Sequence, residues 1–584
     1  MPENRPSRFR TPTPRRDGAR PAASTRAPHA AVTGLRGLLR TIDGGPFQAY
    51  RRILGEHELG DFRLEVLSVP PDALGGPARL RLSIDRARAG LDASWSRGDL
   101  ARLVIEDAIV RAAARALDDQ TGAAPASAPG SGRLSIDPPA PGYFDCTTAR
   151  VGEASLEVAL SLELPAVDRR VRGQQAEAIF FEQLPKIGMA ALLFPIRRAD
   201  ELKSRIEALA RRRAVADALP GRGLALLVPP SALSDRMAPP GSMTTIETAH
   251  GPVDGLAVPA GITVFATVSV PGAGPWLRGI LGSRDRVHGA TAILAGPAAI
   301  IAPSRHVFGP MDLRAFVRAC PELAHPEAYA SEDAPAPLAL AASIVAAIET
   351  GARIIVLDED ELPAGALGAG DALRDVVGAP SPLASLPDRL CDLRDRWGVT
   401  FLIAARRTSA FLAVADTVFT LHGDRLDDVS ESVRTARRSL GLRRATGSGP
   451  EVAMPAARSM RVVTEGAPGG LKTAAWGARG VRIGDDLIDL TDTPLSGDPA
   501  RLRTVAALLK HAARIASSWR PVTEVLDELE TASARPVLDL LEEPGLVDLA
   551  RPSRLDLAAA LARWKRVAFR IAPGTLRPNA EDLP

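Results

Sequence analysis

Residues 354–360 read Ile-Ile-Val-Leu-Asp-Glu-Asp, four apolar residues running into consecutive carboxylates. An unbroken apolar run of this length suits a strand covered on both faces, as in a parallel sheet. In phosphate-transferring enzymes with a phosphate-binding loop, such a strand delivers one carboxylate to Mg²⁺ and the next toward the attacking water. The same chemistry needs a lysine against the β- and γ-phosphates. None occurs between Lys203 and Lys472. Lysine is scarce everywhere, five against 67 arginines, so coding bias accounts for part of the gap. It does not remove the chemical requirement, because a lysine held by phosphate contact resists such a bias.

Around that strand, residues 261–422 alternate strands with helices. Strands are expected at 261–268, 291–295, 298–302, 353–358, 398–404 and 417–421, and helices near 311–320, 337–350 and 383–396. This alternation predicts a doubly wound or P-loop-like α/β core. Upstream, an amphipathic segment at 35–54 precedes strands at 62–69 and 78–84. A helix at 98–117, a breaker-rich loop at 121–133 and strands at 133–137 and 155–164 follow. Two helices, 174–192 and 199–218, and a strand at 223–228 lead into the alternating region. The expected division is a tail at 1–32, an N-terminal α+β domain at 33–172, a core at 173–445 and a linker at 446–458. A C-terminal α+β domain at 459–570 and a tail at 571–584 complete it. There is no internal repeat.

The formal charge of +3 is unevenly placed. Residues 1–30 carry seven arginines against Glu3 and Asp17, so the remainder is close to neutral. This Pro- and Arg-rich tail reads as disordered, either a solubilising extension or a contact for nucleic acid or an acidic partner. Cys146, Cys320 and Cys391 lack metal or disulfide spacing and suit a reducing, cytoplasmic location. No apolar run reaches membrane length, so no membrane span is expected. No GxSxG or HExxH motif occurs, and the scattered histidines read as structural. Arg211-Arg212-Arg213 reads as a helix-ending run that complements the helix dipole.

The only segment placed to be a phosphate loop lies at 261–280: an apolar strand, then Pro271-Gly272-Ala273-Gly274-Pro275, then a helical stretch. Here the chain resembles the family of predicted ATPases of the ABC class. The likeness covers most of residues 35–570. It is carried by Ile42-Asp43-Gly44 with Tyr50 and Gly55, and by Leu164-Pro165-Ala166 with Arg169, Arg170, Gly173 and Ala176. Val414-Ala415-Asp416-Thr417-Val418 and residues 480–490 extend it. It implies an α/β, P-loop ABC-type ATPase core, Mg²⁺ and ATP as cofactors, and dimers. The dimer would be a homodimer or a heterodimer with an active homologue.

Against that family pattern, GGGxxGKST becomes residues 267–275, with only Gly272 kept. Ala273 stands where the phosphate lysine belongs, and Gly274 where a Mg²⁺-binding hydroxyl belongs. Pro275 offers no N–H to phosphate. The SGSTSQ-like signature becomes Pro335-Ala336-Pro337-Leu338-Ala339-Leu340, and the GGSGDYF-like segment becomes residues 405–411. The resemblance makes Asp358 the Mg²⁺ ligand and Glu359 the catalytic base; their plainer reading is acidic residues at a strand end. With three phosphate-facing loops altered, the charge stabilisation of phosphoryl transfer is gone. The expected function is a degenerate, pseudo-ATPase regulator or interaction partner. Two alternatives stand beside it: a slow, divergent ATPase using Arg278 in place of lysine, and a nucleic-acid-binding protein using residues 1–30.

Overall fold

In the computed structural model, residues 34–576 are described except 92–94, 96–97, 122–129, 139–144, 234–242, 269–271, 282–291, 318–322, 324, 364–382, 423–424, 440–452, 464–470, 492, 536 and 542–546. The chain begins its first hydrophobic cluster with helix Leu35–Ile42, whose Leu35, Leu39 and Ile42 recur at helical spacing and are buried. Strands Gly55–Leu59, Phe62–Ser68, Ala78–Asp85 and Ser155–Leu162 follow one another in an antiparallel sheet. The third strand alternates buried and partly buried residues, the period of a sheet with one covered face. Helix Asp99–Thr121 supplies the cover, with Val104, Ile105, Ala108 and Ile109 fully buried.

Two sequence blocks of this region meet in space. The Tyr50 hydroxyl donates to the Pro165 carbonyl at 2.7 Å, and Gly173 N–H donates to the Asp43 carboxylate at 2.6 Å. A Cβ on Gly173 would lie 2.3 Å from the Leu39 carbonyl oxygen, so only glycine fits this approach. Asp168 and Arg169 both adopt positive φ in the tight turn between Ala166–Val167 and Arg170–Val171. That is the backbone a two-residue hairpin turn with the native strand twist requires.

The helices expected to open the core pack elsewhere. Ile179, Phe180, Leu184, Ile187, Leu202 and Leu209 join the first cluster, while Val215 and Leu219 pack with Leu227, Ile246 and Ile293. The chain then forms a four-stranded antiparallel sheet in which Ile293–Leu294 pairs with Leu224–Val228. The strand expected at 291–295 is therefore outside the core sheet. The core sheet runs Ala298–Ile300, Ile354–Asp358, Thr400–Ala405, Ile262–Ala266, Thr417–His422, Arg425–Asp428. The first five strands are parallel and the last is an antiparallel edge. The three central strands are almost wholly buried, as their mainly apolar runs lead one to expect of a sheet covered on both faces.

Helices Ala336–Glu349 and Leu386–Trp397 fall where the pattern placed them. The helix expected at 311–320 does not form over its described residues. Val307–Met311 is a strand instead, Gly309 takes positive φ, and the Asp312 carboxylate caps the Arg314 N–H in a tight turn. Arg211, Arg212 and Arg213 do not end a helix; they sit inside Ala199–Ala218, where Arg212 donates to the Ala292 carbonyl.

The third cluster begins at strand Ala456–Val462, which pairs with Val567–Thr575 and Arg520–Pro521. Both the expected linker and the expected end tail thus contribute strand. Helices Pro499–Ile515, Val522–Ala532 and Arg554–Arg563 cover it, the last opened by a reciprocal Ser553/Asp556 capping box. This unit grips both others. Arg458 reaches Glu349 at the end of the core helix, with both groups buried. Thr147 N–H donates to the Leu549 carbonyl and Arg551 N–H to Asp145, tying the first cluster to the third. Among the described residues no helix is long and apolar enough to cross a membrane.

Candidate functional site

The parallel strands end together at Ala266, Asp358 and Ala405, with Thr400–Ala405 lying between the other two. In open α/β sheets the crevice beyond such ends is the usual ligand position. After Ala266 the chain passes Thr267, whose N–H donates to the Ala405 carbonyl, and an exposed Val268. Ser269, Val270 and Pro271 of the expected loop lie outside the described residues. The chain returns at Gly272, and helix Gly274–Leu281 begins two residues later.

The four loop residues do not face one common space. Ala273 is 1 % exposed and belongs to the apolar cluster beneath the loop with Phe265 and Leu277. In the same layer Phe419 stacks on Phe265 at 5.5 Å, and Trp276 meets it at 5.3 Å with its ring tilted by 57°. Pro275 is exposed. Gly274 carries the Asp358 carboxylate directly on its α-carbon: a Cβ there would lie 1.8 Å from Oδ2 and 2.5 Å from Oδ1. Gly272 meets Asp360 in the same way, with a would-be Cβ 2.6 Å from Oδ2. The two glycines that leave room for a close backbone approach have that room filled by side chains of the carboxylate run.

Each carboxylate of the run is also engaged by a donor. Asp358 Oδ2 pairs with Arg278 on the second turn of the loop helix, and its Oδ1 accepts the Asp360 N–H at 3.1 Å. Arg278 reaches Glu361 as well, at 3.4 Å. Glu359 is 4 % exposed, and its Oε2 accepts the N–H groups of Arg406 and Arg407, both at 2.7 Å. The Arg407 guanidinium donates to the Glu359 carbonyl. Asp360 receives the forked Arg406 guanidinium at 2.8 and 2.9 Å. That hydrogen bond holds the Asp360 carboxyl below its usual range and raises Arg406 in turn.

The residues as placed do not fit a Mg²⁺-bound triphosphate. The backbone at Gly272 and Gly274 is covered by carboxylates, and Arg278 is paired with the residue expected to ligate the metal. Among the described residues no group of three or more His, Cys, Asp or Glu is arranged to hold a metal ion. The expected signature turn is no turn. Residues 336–340 form the first helical turns of Ala336–Glu349, with Leu338, Ala339 and Leu340 buried. Sequence reasoning placed Asp358 and Glu359 beside the loop but missed Asp360 and the pairing roles of Arg278 and Arg406. The available signal was the third carboxylate of the run, together with two arginines directly after the neighbouring strand.

Comparison with known proteins divides the chain into three matched spans. Residues 32–194 match the family described as the N-terminal region of ATPases of the ABC class, and residues 214–457 match its P-loop domain. Residues 472–570 match the MRB1590 C-terminal domain. No curated protein matches the chain. Among solved structures, it is similar to an inward-facing ABC transporter described as of the metal-chelate type. That alignment has 15% identity and a TM-score of 0.23, covering 42% of this chain and 94% of the other.

Proposed function

The chain belongs to the family of ATPases of the ABC class, and from that premise we propose that it is a non-hydrolysing member whose own carboxylates stand where nucleotide phosphates would bind. The observation that carries this reading is the seating of Asp358 and Asp360 on Gly274 and Gly272, neutralised by Arg278 and Arg406. A carboxylate packed against a loop glycine and paired with a guanidinium takes up space and positive charge that a phosphoryl group would need there. Asp358 and Glu359 then hold the fold together: the first fixes the loop helix to the sheet, and the second caps the chain after Ala405. With turnover absent, the protein works as a regulator or interaction partner, paired with a second copy or with an active homologue, in the cytoplasm.

The test is phosphate release from Mg·ATP by the full chain. Release at the level of a no-enzyme control is expected. Mg²⁺-dependent turnover that disappears in Glu359→Gln would overturn the reading, because it would place Glu359 on the attacking water rather than on two backbone amides. The slow-ATPase alternative requires Arg278 to leave Asp358 for a phosphate, and the same assay decides it.

The arginine tail remains a separate proposal, resting on charge alone. If residues 1–30 bind nucleic acid, their deletion should abolish binding to a single-stranded oligonucleotide and flatten its salt dependence. Binding that survives the deletion with the same salt slope would sink the idea.

A further inference from the structure

At the opposite end of the core strands from Asp358, the three hydrophobic units enclose a chamber of about 760 Å³. Its floor is the end of helix Ala336–Glu349 and the start of strand Ile354–Asp358, and Asp145 of the first unit forms one side. Helices Val522–Ala532 and Arg554–Arg563 of the third unit form another. A space of that size accommodates a metabolite-sized ligand.

The charges on its wall do not cancel once their pairings are followed. Glu349 is taken by Arg458, which lies outside the wall, and Asp145 by Arg102 at 2.7 Å, also outside it. Asp527 and Glu530 share Arg554, so one carboxylate of the two is left for Arg551, 3.7 Å from Glu530. Arg501 is held between Asp498 and Asp556. Two guanidinium groups, Arg353 and Arg213, are then left over, and Arg551 is only loosely held. Arg551 makes only long contacts, 3.8 Å to Asp145 and 3.7 Å to Glu530. Arg353, partly buried beside Gly296, and Arg213, exposed on helix Ala199–Ala218, have no ion pair or side-chain hydrogen bond among the described residues. The helix end facing the chamber contributes partial negative charge of only about half a unit. Two guanidiniums outweigh it.

We propose that this chamber binds a small polyvalent anion, phosphorylated or polycarboxylate, through Arg353 and Arg213, with the loosely held Arg551 beside them. Arginine's planar fork suits both anion types. Because first, second and third units all contribute to the wall, a bound anion bridges them and stabilises their association. The site is separate from the Asp358 crevice, so it stands or falls independently of the non-hydrolysing reading.

The test is thermal unfolding and equilibrium dialysis of the full chain with inorganic phosphate, pyrophosphate and citrate as probes. A saturable rise in Tm is expected with pyrophosphate, citrate or both, and it identifies which anion class fits. Arg353→Gln should weaken the dissociation constant by about tenfold or more, the loss of one charge-assisted contact. Arg213→Gln, a change on an exposed helix face, should weaken it in the same direction and keeps the test open if the first variant folds poorly. Arg278→Gln, at the far end of the sheet, should leave anion binding unchanged. No saturable rise with any of the three probes, or a rise unaltered by both Arg353→Gln and Arg213→Gln, would overturn the proposal.

Discussion

Ala273→Lys is expected to destabilise the protein by about 3–5 kcal/mol, the range for an uncompensated buried charge, and to restore no turnover. The residue stands where the family's phosphate lysine belongs, yet its side chain is packed among apolar groups. It is 1 % exposed within the cluster that contains Phe265, Leu277 and Val356. A lysine there either buries an ammonium among apolar groups or forces the start of helix Gly274–Leu281 off the sheet. Asp358 does not rescue it, since that carboxylate already pairs with Arg278. Urea denaturation gives the stability loss and a phosphate-release assay the activity. An unchanged midpoint, or Mg²⁺-dependent turnover from this single change, would show that residue 273 can still face a phosphate.

A comparably large effect is expected where the core meets the third unit. Glu349 and Arg458 are 4 % and 6 % exposed, and they pair through both carboxylate oxygens. The same guanidinium donates to the Phe308 carbonyl at 3.2 Å and lies over the Phe569 ring at 4.8 Å. Glu349→Ala leaves that guanidinium buried and uncompensated, a loss of about 3–5 kcal/mol. Replacing both partners with methionine should recover most of it, because the cost lies in the orphaned charge more than in the missing attraction. Denaturation of the single and double variants measures both terms. A single variant within about 0.5 kcal/mol of the parent, the level of an unremarkable surface change, would mean that water reaches the pair.

Much of the core was legible in the sequence. The runs at 262–266, 354–357 and 401–405 are apolar but for Thr263, and their shortness suits strands buried on both faces. The helix at 336–349 follows from its alanine- and leucine-rich composition, and the first sheet from the period-two alternation of residues 78–85. The expected helix at 311–320 failed where Gly309 and the Asp312 turn override a weak helical pattern. The boundary after the first domain shifted because helical periodicity says that an apolar face exists but not which sheet will cover it. Helix Ala199–Ala218 even divides its contacts, with Leu209 packed on one cluster and Val215 on another.

The candidate site was legible in its membership and illegible in its geometry. Asp358, Glu359 and the glycines were identifiable from spacing. That Asp358 rests on Gly274 depends on two segments over eighty residues apart closing to contact. That Glu359 faces the amides of Arg406 and Arg407 depends on the register of two parallel strands. Neither distance is encoded in local pattern. Knowing them changes the chemistry: the sequence places no lysine beside the glycines, and the fold sets Asp358 and Asp360 against Gly274 and Gly272.

A crystal structure of the full chain grown with Mg²⁺ and a non-hydrolysable ATP analogue addresses that arrangement most directly. The expected map shows the Asp358 carboxylate still seated on Gly274 and paired with Arg278, with no triphosphate on the loop. A triphosphate lying along residues 267–274, with Asp358 turned away from Arg278 toward a bound metal, would contradict it.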